Sequence, residues 1–368
     1  MKKLKLGILT MHSVIHHGSV LQAYATQRFL EKEGYDAEII DYQYPNIWHE
    51  QHGLNVFKPS LKTKIARLLG LKPFYRGRKK IMSFQHKYYK LSKHYETPEI
   101  IAKQMPVYDV YVSGSDQIWN PKFTCADPVY MFGFLPNGNS IISFSSSFAC
   151  KQLPQEFIPL YKKNLSRYEA LSVRENQGKD IIQNLLGRTA SVTLDPTLML
   201  GQNDWKRFVK ESCDNGKYIY LYMLDYAFDP KPYIYELTKY FCEKLKLKVK
   251  SNVKIPDSYK IPYIDVSDAG IEDFLSYTCN AALVITSSFH GTAFAVNFGT
   301  PLLSVVPRKE QDDRLSSLLH NLGLENCIVE IGTSFDNITL YYNKEKEQEE
   351  LSNLRKASFE YIHTALNR

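Results

Sequence analysis

The feature that most constrains this chain is an alternation of short apolar runs with helical periods, begun twice. Leu4 to Thr10 reads as a strand. Gly18 to Glu33 places Val20, Leu21, Tyr24 and Ala25 on one helical face and stops at Gly34, and Ala37 to Asp41 is a second strand. Two strands joined by one helix need a crossover connection, which makes the sheet parallel. The pattern continues with strands at Tyr108–Ser113, Ile141–Ser145, Ala170–Arg174 and Val192–Leu194, and helices at Gln155–Tyr168 and Glu175–Leu186. Near residue 200 it starts again. Strands are expected at Lys217–Leu224, Leu247–Asn252, Ala282–Thr286 and Pro301–Val306, with helices at Tyr233–Lys244, Ile271–Tyr277 and Gly291–Asn297. The expected fold class is α/β, with two Rossmann-like domains facing a cleft. The first spans 1–200 and the second 201–345. A C-terminal helix over 346–368 is opened by Lys344-Glu345-Lys346-Glu347.

Charge is unevenly placed. The chain carries +7, yet the stretch from Gln51 to Tyr95 holds twelve lysines and arginines and no acidic residue, so the remainder is net negative. This stretch is read as a basic helical insertion at about 50–95. Pro59-Ser60 can start a helix in which Leu61, Ile65, Leu68 and Leu69 share a face bordered by Lys62, Lys64 and Arg67. Three readings stay open for it: a solvated face, a cationic amphipathic segment on anionic lipid through residues 58–80, or a nucleic-acid contact. The last lacks any recognition module, and no nucleic acid is expected. No window approaches the roughly 20 apolar residues of a membrane span. The start reads as a first strand and not as a signal peptide, so a cytoplasmic protein is expected, peripheral at the inner face of the cell membrane if the lipid reading holds.

The six cysteines lie far apart, without C-x-x-C spacing, and read as reduced thiols. His12, His16 and His17 lack a nearby acidic partner, so no metal is expected. The first turn is not G-x-G-x-x-G, which leaves a dinucleotide cofactor unsupported. Three strand exits could carry chemistry. Thr286-Ser287-Ser288-Phe289-His290-Gly291 leads from a buried strand to a helix start, where backbone N–H groups attract anions and His290 is placed for acid–base work. A histidine that only caps its own loop is the alternative. Arg174 ends a strand where a guanidinium can bind a carboxylate or phosphate, or else pair with Glu175. Gly114-Ser115-Asp116-Gln117-Ile118-Trp119-Asn120 offers Asp116 to a hydroxyl and Trp119 to a sugar face, or else an Asp turn over a packed tryptophan.

Taken in order, these segments resemble the polysaccharide pyruvyl transferase family. The resemblance runs through Gly18-Ser19-Val20-Leu21-Gln22-Ala23-Tyr24-Ala25, Gly114 to Asn120, Ser143-Phe144-Ser145-Ser146-Ser147-Phe148, Ser172-Val173-Arg174-Glu175, Asp195-Pro196-Thr197 and Ser287-Ser288-Phe289-His290-Gly291, with Asp312-Asp313-Arg314-Leu315 through Leu322-Gly323-Leu324-Glu325 following. It implies a fold similar to B-type glycosyltransferases. It also implies transfer of a pyruvyl group from phosphoenolpyruvate, a co-substrate and not a cofactor, to two hydroxyls of a sugar or lipid-linked oligosaccharide of capsular or exopolysaccharide type. Under it His290 and Asp116 are the catalytic candidates. Arg174, Ser287, Ser288, Gly291, Arg308 and Arg314 face the donor, and His17, Gly18, Gln22, Gln117, Trp119 and Asn120 the acceptor. Many members carry an arginine two residues before the histidine, where this chain has Ser288. A nucleotide-sugar glycosyltransferase and a non-catalytic sugar-binding relative are the competing readings.

Overall fold

The computed structural model describes residues 3–55, 60–309, 313–340 and 344–367; Lys58, Pro59 and Asp312 lie outside them, as do the side chains of Leu61, Lys62 and Ile65. The first sheet is parallel, built from β1 (Lys5–Leu9), β2 (Asp36–Tyr42), β3 (Leu91–Tyr95), β4 (Val110–Ser113) and β5 (Ile141–Ser143) in the order β3-β2-β1-β4-β5. A short parallel pair, β6 (Ser172–Val173) and β7 (Ser191–Val192), extends its edge through bridges from Ile142 to Ala170 and from Ser146 to Val173. The second sheet contains β8 (Tyr218–Tyr222), β9 (Lys248–Ser251), β10 (Tyr263–Asp265), β11 (Leu283–Thr286), β12 (Leu302–Val306) and β13 (Ile328–Glu330), in the order β10-β9-β8-β11-β12-β13 and parallel throughout. The two Rossmann-like domains therefore reverse direction at equivalent places, between β1 and β4 and between β8 and β11. Ligands of open α/β sheets sit at the carboxyl ends of strands beside such a reversal.

The central strands are continuous buried runs: Tyr218-Ile219-Tyr220-Leu221-Tyr222, Leu283 to Thr286 and Leu302 to Val306 have no exposed residue. Parallel sheets covered by helices on both faces require this. The edge strands read differently, and for that reason β3 falls inside the stretch taken from the sequence as an insertion. Only Tyr95 of β3 is buried, and the strand carries Lys93 and His94 outward. Charged edge strands of this kind block further pairing but leave little hydrophobic pattern.

Two helices lie where the domains meet. The helix His17–Lys32 after β1 is buried from Gly18 to Gln27, and the helix Phe289–Phe298 after β11 is buried at every position. A helix apolar all round must be covered all round. The first packs on the helices Pro196–Met199, Ile271–Cys279 and Phe289–Phe298, and one core runs from Leu6 through Trp205 and Phe294 to Leu366. The basic stretch forms the helix Leu61–Leu69, capped by Ser60 and stopped at Gly70, and the helix Pro73–Tyr88. The latter seats Phe84 against Tyr24, ring centroids 5.5 Å apart. Among the described residues no helix is long and apolar enough to cross a membrane.

The final helix, Lys344–Leu366, returns to the first domain. Tyr361 donates to the Ser143 carbonyl (2.8 Å), Ser358 Oγ accepts from Leu194 N–H (2.9 Å), and Arg355 donates to the Leu198 carbonyl (2.6 Å) and to Asn297 Oδ1 (3.1 Å). Leu351 on its inner face is fully buried, whereas Phe359 is 37% exposed. Leu351→Ala is expected to lower unfolding free energy by about 2–4 kcal/mol, and Phe359→Ala by less than about 1 kcal/mol. Urea denaturation of the two variants checks this.

Candidate functional site

The four strand exits at the two reversals converge. β1 runs into the turn Thr10 to His16, β4 into Gly114-Ser115-Asp116, β8 into Leu224, and β11 into Ser287-Ser288. The amino ends of the helices His17–Lys32 and Phe289–Phe298 meet there so closely that a Cβ on Gly18 would lie 2.1 Å from His290 Nδ1. Two helix amino ends directed at one place create a positive potential before any side chain is counted. Ser288 caps one of them by accepting the Gly291 N–H at 3.3 Å, while no side chain caps the other.

A buried charge cluster lies beneath. Asp195 is 1% exposed. Its Oδ2 accepts from Arg174 Nη1 (2.7 Å) and Ser115 Oγ (2.9 Å) and stands 3.7 Å from His290 Nε2. Its Oδ1 accepts from the backbone N–H (2.9 Å) and hydroxyl (2.6 Å) of Thr197. Burial alone would raise the Asp195 pKa. His290, Arg174 and Thr197 together outweigh burial and hold the carboxyl far below the ordinary range. Asp116 is placed by backbone that an L-residue rarely adopts, at φ 73°, and is fixed there by Ser19 Oγ (2.7 Å to Oδ2) and by Ser147 N–H on its own carbonyl (3.0 Å). Its carboxyl is also held below the usual range, because Arg174 (Nη2 3.7 Å from Oδ1), His290 and the Ser19 bond overcome the effect of burial.

Arg174 is 5% exposed, and among the described residues its Nε and Nη2 make no hydrogen bond; neither does Nε2 of the equally buried His290. Buried polar nitrogens without a hydrogen bond are uncommon in folded chains. His290 lines a chamber with His16, Ser19, Asp116 and Gln117, with Met11, Val14, Tyr44, Phe123 and Tyr226 as its apolar wall, whereas Arg174 lines a separate pocket of about 30 Å³ with Asp195, Phe289 and Leu318. A neighbouring cavity of about 140 Å³ shares Tyr226 and is lined by Ser287, Phe289, Lys309 and Arg314. The guanidinium groups of Arg174 and Arg314 lie 4.3 and 6.0 Å from the Phe289 ring centre. The arrangement suits an anion beside a hydroxyl-bearing molecule, with acid–base groups between them.

The family model of polysaccharide pyruvyl transferases matches residues 16–308, which span every one of these groups except Arg314, Lys309 and the turn before His16. The chain belongs to the polysaccharide pyruvyl transferase family. That membership makes it a transferase of polysaccharide pyruvylation. No curated protein matches the chain. Among solved structures it is similar to a UDP-N-acetylglucosamine 2-epimerase from Rickettsia bellii, at 9% identity and TM-score 0.53 over 99% of this chain and 97% of that one. It is likewise similar to MnaA of S. aureus, solved with UDP, at 13% identity and TM-score 0.53 over 100% and 97%. These likenesses establish the fold, a two-domain plan similar to B-type glycosyltransferases.

Within this pyruvyl transferase fold the residues expected from sequence separate clearly. Asp116, Gln117 and His290 line the chamber, Gly18 abuts His290, and Ser287 and Arg314 line the adjoining cavity. Others have structural tasks. Trp119 is fully buried against Phe148 and Tyr168, so its ring presents no face to a sugar. Asn120 caps the short helix Pro121–Thr124 and donates to Gln117 Oε1. Gln22 is sealed in the first turn by Thr10 and the Ser19 carbonyl. Arg308 turns away to the Ile331 carbonyl (2.9 Å), and Lys309 lines the cavity instead. The Gly291 N–H is taken by the Ser288 cap and is not left for a ligand. Arg174 pairs with Asp195 and not with Glu175, whose Oε1 instead accepts from Ser147 Oγ and the N–H groups of Phe148 and Ala149.

His17 leaves the acceptor list as well. Its Nε2 faces the Ala269 carbonyl (3.0 Å), its Nδ1 the Tyr222 hydroxyl (3.2 Å), and its ring stacks on Phe274, so it ties the first domain to the second. A carbonyl only accepts, which places the proton on Nε2 and makes neutral His17 fully satisfied. Two residues were missed. Asp195 stands before Pro196 and Thr197, as a helix cap does, and it is one (to Thr197 N–H); that role conceals its other carboxylate oxygen. His16 sits in a run of histidines whose directions spacing cannot distinguish.

Two predictions follow from this geometry. Gly18→Ala forces a methyl group into the His290 ring and is expected to cost about 1–3 kcal/mol of stability. The cost should largely vanish when His290→Ala is added, as a double-mutant cycle by denaturant unfolding would show. Burial, reinforced by His17 and His290, presses His16 down to about 3, and burial brings His17 to about 4. Both depressed histidines stay neutral in the fold, whereas the unfolded chain takes up their protons below pH 6.5. Their stabilisation is thus complete above that pH and lost as pH falls toward 4, at about 1.4 kcal/mol per pH unit for each histidine. His17→Gln should flatten the pH 4–6.5 stability profile by about one proton.

Proposed function

We propose that the cleft transfers a pyruvyl group from phosphoenolpyruvate to two hydroxyls of one sugar in a polysaccharide precursor, forming a cyclic ketal. What chiefly supports this reading is the convergence of two helix amino ends at His290, beside Asp116 and its ion-pair partner Arg174, whose buried Nε and Nη2 make no hydrogen bond among the described residues. The donor bears a carboxylate and a phosphate. Arg174, Arg314 and Lys309 are the cations near enough to the Phe289 end of the cleft to hold them. The sugar occupies the chamber walled by Tyr44, Phe123 and Tyr226, with Gln117 and Asp116 beside its hydroxyls.

In the reaction the donor methylene gains a proton and becomes a methyl group. One sugar hydroxyl adds to the central carbon, the C–O bond to phosphate breaks, and the second hydroxyl closes the ketal. The two hydroxyl protons end on the methyl group and on the released phosphate. His290 delivers the carbon-bound proton, and Asp195, 3.7 Å from its Nε2, balances the charge of an imidazolium during that transfer. Asp116, kept ionised, orients the attacking hydroxyl. His16, kept neutral by burial, lines the same chamber.

A nucleotide-sugar reading draws on one observation, the apolar cavity that Phe289 and Tyr226 form in the second domain. Thermal denaturation separates the two. Phosphoenolpyruvate at saturating concentration is expected to raise the melting temperature, because a ligand of the native state alone must do so. The rise should fall at least roughly tenfold in apparent affinity in Arg314→Gln and in Arg174→Ala, a charge-assisted contact being worth about 1.5–3 kcal/mol. A shift with UDP and none with phosphoenolpyruvate would replace this reading by the glycosyltransferase one.

A further inference from the structure

The basic arm leaves an apolar knuckle uncovered. Between the helices Leu61–Leu69 and Pro73–Tyr88, Leu68, Leu69, Leu71 and Phe74 are 72, 63, 65 and 60% exposed. Single exposed leucines are ordinary, but four large apolar side chains within seven residues form a patch. The turn that carries them is built and not incidental. Ser60 caps the first helix, Gly70 stops it at φ 64°, Lys79 Nζ closes back on the Leu68 carbonyl, and Pro73 starts the second helix.

We propose that this knuckle seats the protein on an anionic lipid surface. Charge selects the occupant, since no acidic residue occurs from Gln51 to Tyr95 while lysines and arginines crowd the same stretch. Some of those cations are committed within the fold: Arg76 to Asp268 (3.3 Å) and Lys80 to Asp273 (2.9 Å). Exposed Lys64 and Lys72 stand beside the knuckle in the chain. A bilayer with anionic headgroups offers a negative surface and, directly below it, hydrocarbon for the leucines and Phe74. A second copy docked through the same face would set basic arm against basic arm, and a nucleic acid would leave the apolar side chains uncovered.

The knuckle is also connected to the cleft. Pro73–Tyr88 rests by Gly77 on the backbone of Asp268 and Ala269, and the Ala269 carbonyl is the one that receives His17. The helix carrying the knuckle thus leans on the same turn that locks the two domains.

Sedimentation of the full chain with phosphatidylglycerol-containing vesicles, and with phosphatidylcholine vesicles, tests the proposal. The chain should pellet with the first and not the second, and high salt should release it. Leu68→Ser/Leu69→Ser/Phe74→Ser should lower the partition coefficient roughly tenfold or more, and Lys64→Gln/Lys72→Gln roughly fivefold per lysine. Melting temperatures should stay unchanged, because the replaced groups are exposed. Absence of anionic-vesicle binding, or binding unaffected by the triple variant, would overturn the proposal. So would a concentration-dependent dimer in sedimentation velocity that the triple variant abolishes, since the face would then belong to a second copy. Donor-induced stabilisation, read without vesicles, is independent of every one of these outcomes.

Discussion

The rest of the cleft is arranged around one buried carboxylate. Asp195 is held as an anion by His290, Arg174, Ser115 and both donors of Thr197 around it. Each comes from a different strand exit or helix start, so the charge cannot be satisfied until β4, β6 and the helix Pro196–Met199 are in register. Removing one partner from such a pair typically costs about 3–5 kcal/mol, because the remaining charge stays buried. The same ion pair orients the guanidinium, holding Nη1 and leaving Nη2 and Nε directed elsewhere. Folding energy and cleft geometry therefore rest on a single contact.

The second constraint is the seam between the domains. Gly18 has no side chain, which lets His290 of the second domain lie against the first turn of the first. His17, next to it, takes hydrogen bonds and a stacking partner entirely from the second domain. The segments 18–25 and 287–291 that carry the resemblance are thus neighbours in space. His290 from the second half there stands 3.7 Å from the Asp195 carboxylate of the first.

This seam explains what the sequence could and could not disclose. Strand and helix order was legible because buried parallel strands such as Leu283–Thr286 are unbroken apolar runs and helix stops such as Gly34 are marked. The edge strand β3 was hidden among lysines, since an edge needs no apolar alternation. At the cleft, a polar residue after a strand looks the same whether it faces ligand or core. Asp116 and Trp119 share one segment, yet one lines the chamber and the other is sealed behind it. Gln22 and Asn120 are amides spent on turns and caps. Arg308 and Lys309 differ by one position and point to different partners, because chain direction after β12 decides between them and spacing does not.

Ser288 shows how one side chain decides what a helix start offers. Serine at this place caps the helix Phe289–Phe298, a role that arginine cannot fill, and the cap occupies the Gly291 N–H. Positive charge at this end of the cleft comes instead from side chains beyond the capped turn. Arg174 and Arg314 provide it, both over the Phe289 ring, one from the edge of the first sheet and one from the first turn of the helix Arg314–Asn321. Because the two belong to different domains, an anion held by both would also hold the domains together, and its binding would tighten the seam that His17 and Gly18 begin.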